Sequence, residues 1–339
     1  SALFEGKSPF PSSASEPNGI AEPGETFSFA PSWKNTSDGT VVGTTGSITS
    51  FTGPTGGGAA YTVADGTASY GDIAPGATAS ASSGYRLQAT ASSRPQPHWD
   101  ATVTESLNTS ETRAWTVHIG KSFGDVGTAN PFYSDVEAIF HHNITTGTST
   151  GVYSPDANTA RDAMTAFIAR AHAGSDAAVP ASGTVSGLGS YDCVSGGTSL
   201  FSDIAPDALF CRHVHWAAAH GLTFGCTDAA TFTSKFCPVA PITRRSMAVM
   251  LARDLAGGDS VVPAKAPDPG NGRAYDCTDG KPNAFADVPE SDPGCKYVYA
   301  LWSKGIVDGY QNGDYGPNDS VTRGQMAKFL TNSYALTLP

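Results

Sequence analysis

Six cysteines, three clustered histidines and a few formal motifs are the residues of this chain whose types and spacing could do chemistry. The cysteines are Cys193, Cys211, Cys226, Cys237, Cys277 and Cys295. Thiolates bind zinc in one setting and form disulfides in another, and spacing and compartment decide between them. His213, His215 and His220 lie just after Cys211 and make zinc the rival reading. Against it, the chain has no Cys-x-x-Cys, and on a helix His213 and His215 point to different sides. Gly147-Thr-Ser149-Thr-Gly151 has the letters of a nucleophile elbow, which needs a strand before it and a helix after it. Here it falls in a loop between two expected helices. His141-His142 sits on a short helix with no carboxylate evident beside it. Asp308 to Asp314 lacks the ligand spacing of a calcium-binding hand, and no glycine-rich phosphate loop occurs. No catalytic constellation emerges, so the chain reads as a non-enzyme without catalytic residues.

The elements that must position these residues form a repeat. Phe123-Gly-Asp125-Val126, Phe201-Ser-Asp203-Ile204 and Phe285-Ala-Asp287-Val288 each open a unit. Each unit runs through an apolar stretch to a glycine, at Ile144-Thr-Thr-Gly147, Leu222-Thr-Phe-Gly225 and Ile306-Val-Asp-Gly309. Each closes on a proline (Pro155, Pro238, Pro317) and an Arg-x-x-Met step, Arg161 to Met164, Arg244 to Met247 and Arg323 to Met326. A fixed period of this kind marks a repeat architecture.

The repeat also orders the cysteines. Tyr191-Asp-Cys193 and Tyr275-Asp-Cys277 are the same phrase, each followed by a second cysteine at the same offset. Cys226 and Cys237 stand where the third unit has Tyr310 and Gly316 and the first has Thr148 and Ser154, so they are present or absent together. The expected pairs are Cys193–Cys211, Cys226–Cys237 and Cys277–Cys295. Closing loops of this length contributes roughly 3 kcal/mol each in the chain-entropy picture and requires an oxidising compartment.

Composition sets the outer limits. Among 339 residues only 15% are charged, and the net charge is -11. A chain this acidic offers little to neutralise phosphates, which argues against nucleic acid and against anionic membrane surfaces as partners. No run of 18 apolar residues exists to span a bilayer. The chain opens at Ser1 without methionine or an apolar leader, and is read as a mature secreted chain whose signal peptide has been removed.

Residues 1–17 carry Ala2-Leu3-Phe4 and then a Ser/Pro-rich stretch; the plainer reading, which the sequence favours, is a floppy terminus, and the sharper one an extended arm that adds a strand to a neighbouring subunit. From 18 to 119, short segments rich in Thr, Val, Ser and aromatics alternate with Gly, Pro, Asn and Asp, the pattern of a small antiparallel β-sandwich. Strands are expected at Thr26–Ala30, Gly46–Phe51, Tyr61–Val63, Ala77–Ala81, Gly84–Gln88 and Ala114–Ile119. Asn18-Gly-Ile-Ala-Glu22-Pro-Gly-Glu25, Lys34-Asn35-Thr36 and Gly71-Asp-Ile73-Ala-Pro-Gly76 together resemble bacterial extracellular immunoglobulin-like modules. The oxygen-rich side chains of Asn18, Glu22 and Glu25 suit Ca2+, the one cofactor considered; the plainer reading is a polar turn entering the first strand.

Each repeat reads as helix, loop, helix. Met164, Phe167 and Ile168, then Met247, Met250 and Leu251, then Met326, Phe329 and Leu330 are buried stripes at i, i+3, i+4. Thr322 with Gln325 forms a capping box, and Thr159 with Asp162 is expected to start the first repeat's second helix similarly. The Phe-x-Asp-Val, Gly-Ile-x-x-Gly and Thr-Arg-x-x-Met-Ala phrases resemble S-layer homology repeats, three copies over about 121–172, 199–254 and 283–335. That resemblance implies a pseudo-threefold bundle whose grooves bind cell-wall polysaccharide, using the arginine at the second helix start. Here those positions are Arg161, Arg244 and Arg323, with inter-repeat packing as their alternative role. The family's Glu after this arginine is replaced by Ala163, Ser246 and Gln325.

The expected fold is multidomain, β then α. Residues 1–17 form an arm, 18–119 an immunoglobulin-like β-sandwich, and 120–174 repeat 1. Repeat 2 with its linker takes 175–256, and repeat 3 with its linker 257–339. The expected function is a non-enzymatic extracellular structural protein of a bacterial surface. Its partners are copies of itself, in a layer or fibre, and cell-wall polysaccharide. The alternatives are a filament subunit joined by strand donation and a monomeric carbohydrate-binding anchor.

Overall fold

The computed structural model describes residues 18–226, 232–279 and 284–338, with the backbone of 3–7 and 12–13. The rest of the expected arm lies outside the described residues. The chain divides into two compact units, Ser1–His141 with Gly147–Tyr153 and Thr337–Pro339, and His142–Thr146 with Ser154–Leu336.

The first unit is antiparallel β-structure followed by one helix. Its strands are β1 (Leu3–Lys7), β2 (Ser12–Ser13), β3 (Thr26–Phe29), β4 (Ser32–Asn35), β5 (Val41–Thr52), β6 (Ala60–Asp65), β7 (Thr67–Ile73), β8 (Thr78–Ser80), β9 (Tyr85–Thr90), β10 (Asp100–Leu107) and β11 (Thr112–His118). They form sheets of order β11-β10-β5-β7, β2-β3-β9-β6 and β1-β4-β8. Alternation sends every second side chain inward. Tyr85, Leu87 and Ala89 of β9 and Ala101, Val103 and Leu107 of β10 join Phe27, Phe51, Trp33 and Trp115 in one apolar cluster. Each large apolar side chain so buried stabilises the fold by roughly 1.5–3 kcal/mol. The helix α1 (Tyr133–His141) closes this unit, burying Val136, Ile139 and Phe140.

The second unit is helical with two small hairpins. It contains α2 (Arg161–Ala173), β12 (Ser182–Val185), β13 (Gly189–Asp192), α3 (Cys211–Ala219), α4 (Arg244–Ala256), β14 (Lys265–Ala266), β15 (Tyr275–Asp276), α5 (Cys295–Ser303) and α6 (Arg323–Tyr334). The apolar stripes of α2, α4 and α6 are buried throughout. Disulfides join Cys193 to Cys211, Cys226 to Cys237 and Cys277 to Cys295. Cys193 and Cys277 directly follow β13 and β15, and their partners are the first residues of α3 and α5, so each bridge ties a hairpin to a helix start.

Helix starts differ in one respect from expectation. Thr243 caps α4 through Ser246, and Thr322 with Gln325 makes the full capping box of α6. The N-cap of α2 is Ala160, with no side-chain bond, rather than Thr159. Thr159 is held in extended backbone pairing, donating to the Val321 carbonyl and accepting from the Ile242 amide, and so sits too early to cap.

Candidate functional site

The Phe-x-Asp phrases fold around the loop aromatic of their own repeat. The Asp203 carboxylate accepts from the amides of Phe236 and Cys237, each at 2.8 Å, and Asp287 from those of Tyr315 and Gly316, each at 2.8 Å. Asp125 accepts from the Tyr153 amide at 2.9 Å. Phe201 packs on Phe236 and Phe285 on Tyr315. These aspartates therefore hold the loop that precedes the second helix.

That loop meets another repeat at its Arg-x-x-Met step. The amides of Arg161 and Asp162 donate to the carbonyls of Ala240 and Pro238, and those of Arg244 and Arg245 to Asp319 and Pro317. The amides of Arg323 and Gly324 donate to Ala157 and Pro155. The orphan first-turn amides of each helix are thus satisfied by a loop of another repeat. Thr159, Ile242 and Val321 also bond to one another by backbone in a closed cycle, which runs in the opposite sense.

The arginine side chains follow their backbone. Arg161, Arg244 and Arg323 are all buried. Arg244 donates through Nε to the Tyr315 carbonyl at 2.6 Å and through Nη2 to the Asp308 carbonyl at 2.9 Å. Its guanidinium lies 4.5 Å from the Tyr315 ring centre and 4.9 Å from that of Tyr310. Arg161 donates to the carbonyls of Phe236 at 3.2 Å and Gly225 at 2.6 Å, over the Phe236 ring. Arg323 lies over Phe167.

The adjacent Arg245 is a residue that sequence reasoning passed over. It is half-buried, forks onto both oxygens of Asp292 at 3.1 and 2.7 Å, and reaches Asn318 at 3.1 Å. Only the second repeat has a second arginine at this step, which was the available signal. The corresponding place at the start of α2 is a cleft of about 300 Å³ lined by Asp162, Asp203, Leu209, Phe210, Pro238 and Val239. Burial raises the Asp162 carboxyl above its ordinary range.

At the far ends of the second helices, His172 of α2, Asp254 of α4 and Tyr334 of α6 meet. His172 Nε2 lies 2.9 Å from an Asp254 oxygen, and the Tyr334 hydroxyl donates to Asp254 at 2.8 Å.

The oxygen-rich opening of the β unit is brought together. Asn18 Nδ2 donates to Glu22 Oε1 at 2.8 Å, and its oxygen accepts from the Ile20 amide at 2.9 Å. The Tyr133 hydroxyl also donates to Glu22 Oε1, at 3.0 Å, and the Glu22 amide donates to Glu25 Oε2 at 3.3 Å. Burial first, and the Glu25 carboxyl beside it second, push the Glu22 carboxyl up to about 7.

The sulfur atoms near His215 are covalently paired and offer no thiolate for zinc. His215 donates from Nδ1 to the Cys211 carbonyl and accepts the Leu200 amide at Nε2, whereas His213 faces Asp176. Ser149 sits in a tight turn closed by Val152, with neither the strand nor the helix of a nucleophile elbow. His141 does have a carboxylate neighbour: the fold places Asp100 Oδ1 at 3.2 Å from its Nδ1. Forty-one positions separate the two, which is why local spacing gave no hint of it.

Residues 284–327 match the S-layer homology domain family. The matched segment holds the Phe285 phrase, α5, the Gly309 turn and the start of α6 through the Arg323 step. No curated protein matches the chain.

Proposed function

We propose that this chain is a non-enzymatic protein of the bacterial cell surface, held at the envelope by three repeats of the S-layer homology type. The observation that carries this reading is the family match over residues 284–327, which falls on the repeat whose internal bonds the other two reproduce. The cyclic bonding of each second-helix start to another repeat's loop, and the meeting of His172, Asp254 and Tyr334, support a pseudo-threefold bundle. The single apolar cluster shared by the β strands supports an immunoglobulin-like sandwich in front of it. Three disulfides fit a chain that matures in an oxidising compartment.

In this reading Arg161, Arg244 and Arg323 pack the repeats together, because their side chains are buried, Arg161 and Arg244 against carbonyls and Arg323 over Phe167. Cell-wall polysaccharide is the proposed partner, and Arg245 the proposed contact for an acidic group on it. Ca2+ at Asn18, Glu22 and Glu25 would replace the shared hydrogen bonds of that turn and stiffen the entry to β3.

Sedimentation with isolated cell walls tests the reading. The protein is expected to pellet with intact walls and to stay in the supernatant when the walls are stripped of their attached polymers, and Arg245→Ala is expected to lower the pelleted fraction. Failure to pellet with intact walls would remove the anchoring role.

A second reading, a filament subunit joined through its N-terminal strand, is favoured by the position of β1 at the free edge of the β1-β4-β8 sheet.

A further inference from the structure

At one end of the β unit, four ionisable side chains converge that none of the foregoing uses. Asp100 opens β10 and His118 ends β11, and the two are direct partners in the strand register. Glu137 and His141 lie four apart on α1, so they share one face of that helix. His118 is sandwiched between two carboxylates. Its Nδ1 lies 2.9 Å from Asp100 Oδ1 and its Nε2 2.7 Å from Glu137 Oε2. His141 Nδ1 approaches the same Asp100 oxygen at 3.2 Å.

Glu137 is fully buried and has no freedom to turn. Its Oε1 accepts the Ser122 amide at 2.8 Å and its Oε2 the Ser122 hydroxyl at 2.6 Å. It therefore fixes a proton on His118 Nε2 and leaves Nδ1 facing Asp100. A carboxylate behind the distal nitrogen of an imidazole is the arrangement that orients a metal-ligating histidine and raises its basicity. Two ring nitrogens aimed at a single carboxylate oxygen require something positive between them, either protons or a cation.

From this geometry we infer that Asp100, His118 and His141 form a binding site for a divalent transition-metal ion of the zinc class, with Glu137 as the residue that positions His118. The spacing suits that ion. Bonds of 2.0–2.1 Å in a tetrahedron set neighbouring ligand atoms about 3.3 Å apart. The two measured separations are 2.9 and 3.2 Å, and all three candidate ligand atoms lie within 4.8 Å of one another. Adjustments of a few tenths of an ångström on the Asp100 side, where that side chain is 32% exposed, would seat the ion. The same opening gives water the fourth position. Two imidazoles and one carboxylate favour zinc-like ions over Ca2+ or Mg2+, which take mainly oxygen ligands. His98, stacked on Phe140 with ring centres 4.0 Å apart, braces the turn of α1 that carries His141. The ion would tie β10, β11 and α1 into one piece.

The test uses the full-length chain without an affinity tag, stripped of metal by chelation. Titration with Co2+ is expected to give one saturable equivalent with the visible absorption of a low-coordinate site, and Zn2+ is expected to compete it away and to raise the thermal midpoint. His141→Ala is the decisive variant, because His141 is partly exposed and its loss should leave the circular dichroism unchanged. It is expected to abolish both signals, while His172→Ala, at a surface histidine of the other unit, leaves both intact. Glu137→Gln, where it folds, is expected to weaken binding on the order of 10- to 100-fold. A wild-type chain that takes up no Co2+ at micromolar metal, or a His141→Ala chain that binds as the wild type does, would overturn the site and reduce the cluster to a buried ion-pair network.

Discussion

A carboxylate without water around it is costly unless donors replace the water. Glu105 on β10 is fully buried and has four. Trp33 and Trp115 donate through Nε1 to its Oε2 at 3.1 and 3.2 Å, and Tyr70 and Tyr85 donate their hydroxyls to its Oε1 at 2.5 and 2.6 Å. Burial, and then Glu105 itself, raise both tyrosine hydroxyls far above their ordinary range, so they stay donors at any working pH. Gly46 makes room for the group, since a Cβ there would stand 2.2 Å from the Tyr85 hydroxyl and 2.7 Å from Glu105 Oε1. Replacing Glu105 by leucine leaves these donors unpaired in the core. Unfolding in urea is expected to show a loss on the order of 3–5 kcal/mol for Glu105→Leu, and a smaller loss for Glu105→Gln, which keeps an acceptor oxygen. Equal stability of the leucine variant and the wild type would mean that the network contributes nothing. None of this was legible in the sequence. A glutamate between threonine and serine reads as solvent-facing, and its partners lie between 10 and 72 positions away.

Elements were legible where their signal is local. The stripes of α2, α4 and α6 repeat at i, i+3, i+4, and the Thr322–Gln325 box is a four-residue phrase, so both were readable without the fold. The disulfides of the structure span 18 positions twice, the offset at which a second cysteine follows each Tyr-Asp-Cys phrase. The strand β10 was missed, although it pairs with both β5 and β11. Its inward positions are Ala101, Val103, Glu105 and Leu107, and the glutamate breaks the apolar alternation by which a strand is recognised. Packing between repeats was readable as one of two roles for the arginines, but their partners were hidden, because a carbonyl acceptor leaves no trace in the side-chain sequence. Arg244 reaches two carbonyls and two aromatic rings with one planar fork, which a lysine ammonium cannot do. Arg244→Lys is therefore expected to destabilise the helical unit by about 2–3 kcal/mol. The same change at Arg245, which is itself only half-buried and keeps an ion pair with Asp292 as a lysine, is expected to cost under about 1 kcal/mol. Thermal unfolding of the two variants side by side checks this, and equal midpoints would reverse the assignment of packing to Arg244 and surface contact to Arg245.

For the molecule as a whole, the sheet edges held by β1 and β2 can be completed by its own chain or by another copy. The backbone of β1 runs antiparallel to β4 from Leu3 opposite Asn35, and β2 runs antiparallel to β3. Both are edge positions. Main-chain hydrogen bonds do not distinguish one copy from the next, so an edge that accepts a strand from its own chain accepts the same strand from a neighbour. The sequence could suggest an arm from its Ser/Pro-rich stretch but not its partner, because backbone pairing carries no side-chain signature. If strands are exchanged, a chain lacking residues 1–17 is expected to fold, with the far-ultraviolet spectrum of the remaining β and α structure, and to sediment as a monomer at concentrations where the full chain forms fibres. A synthetic peptide of residues 1–17 is then expected to bind the shortened chain and not the full one, whose edges are already filled. Negative-stain images showing fibres of unchanged length after the deletion would dismiss strand exchange, and a full-length chain that remains monomeric would leave wall attachment as the proposal that stands.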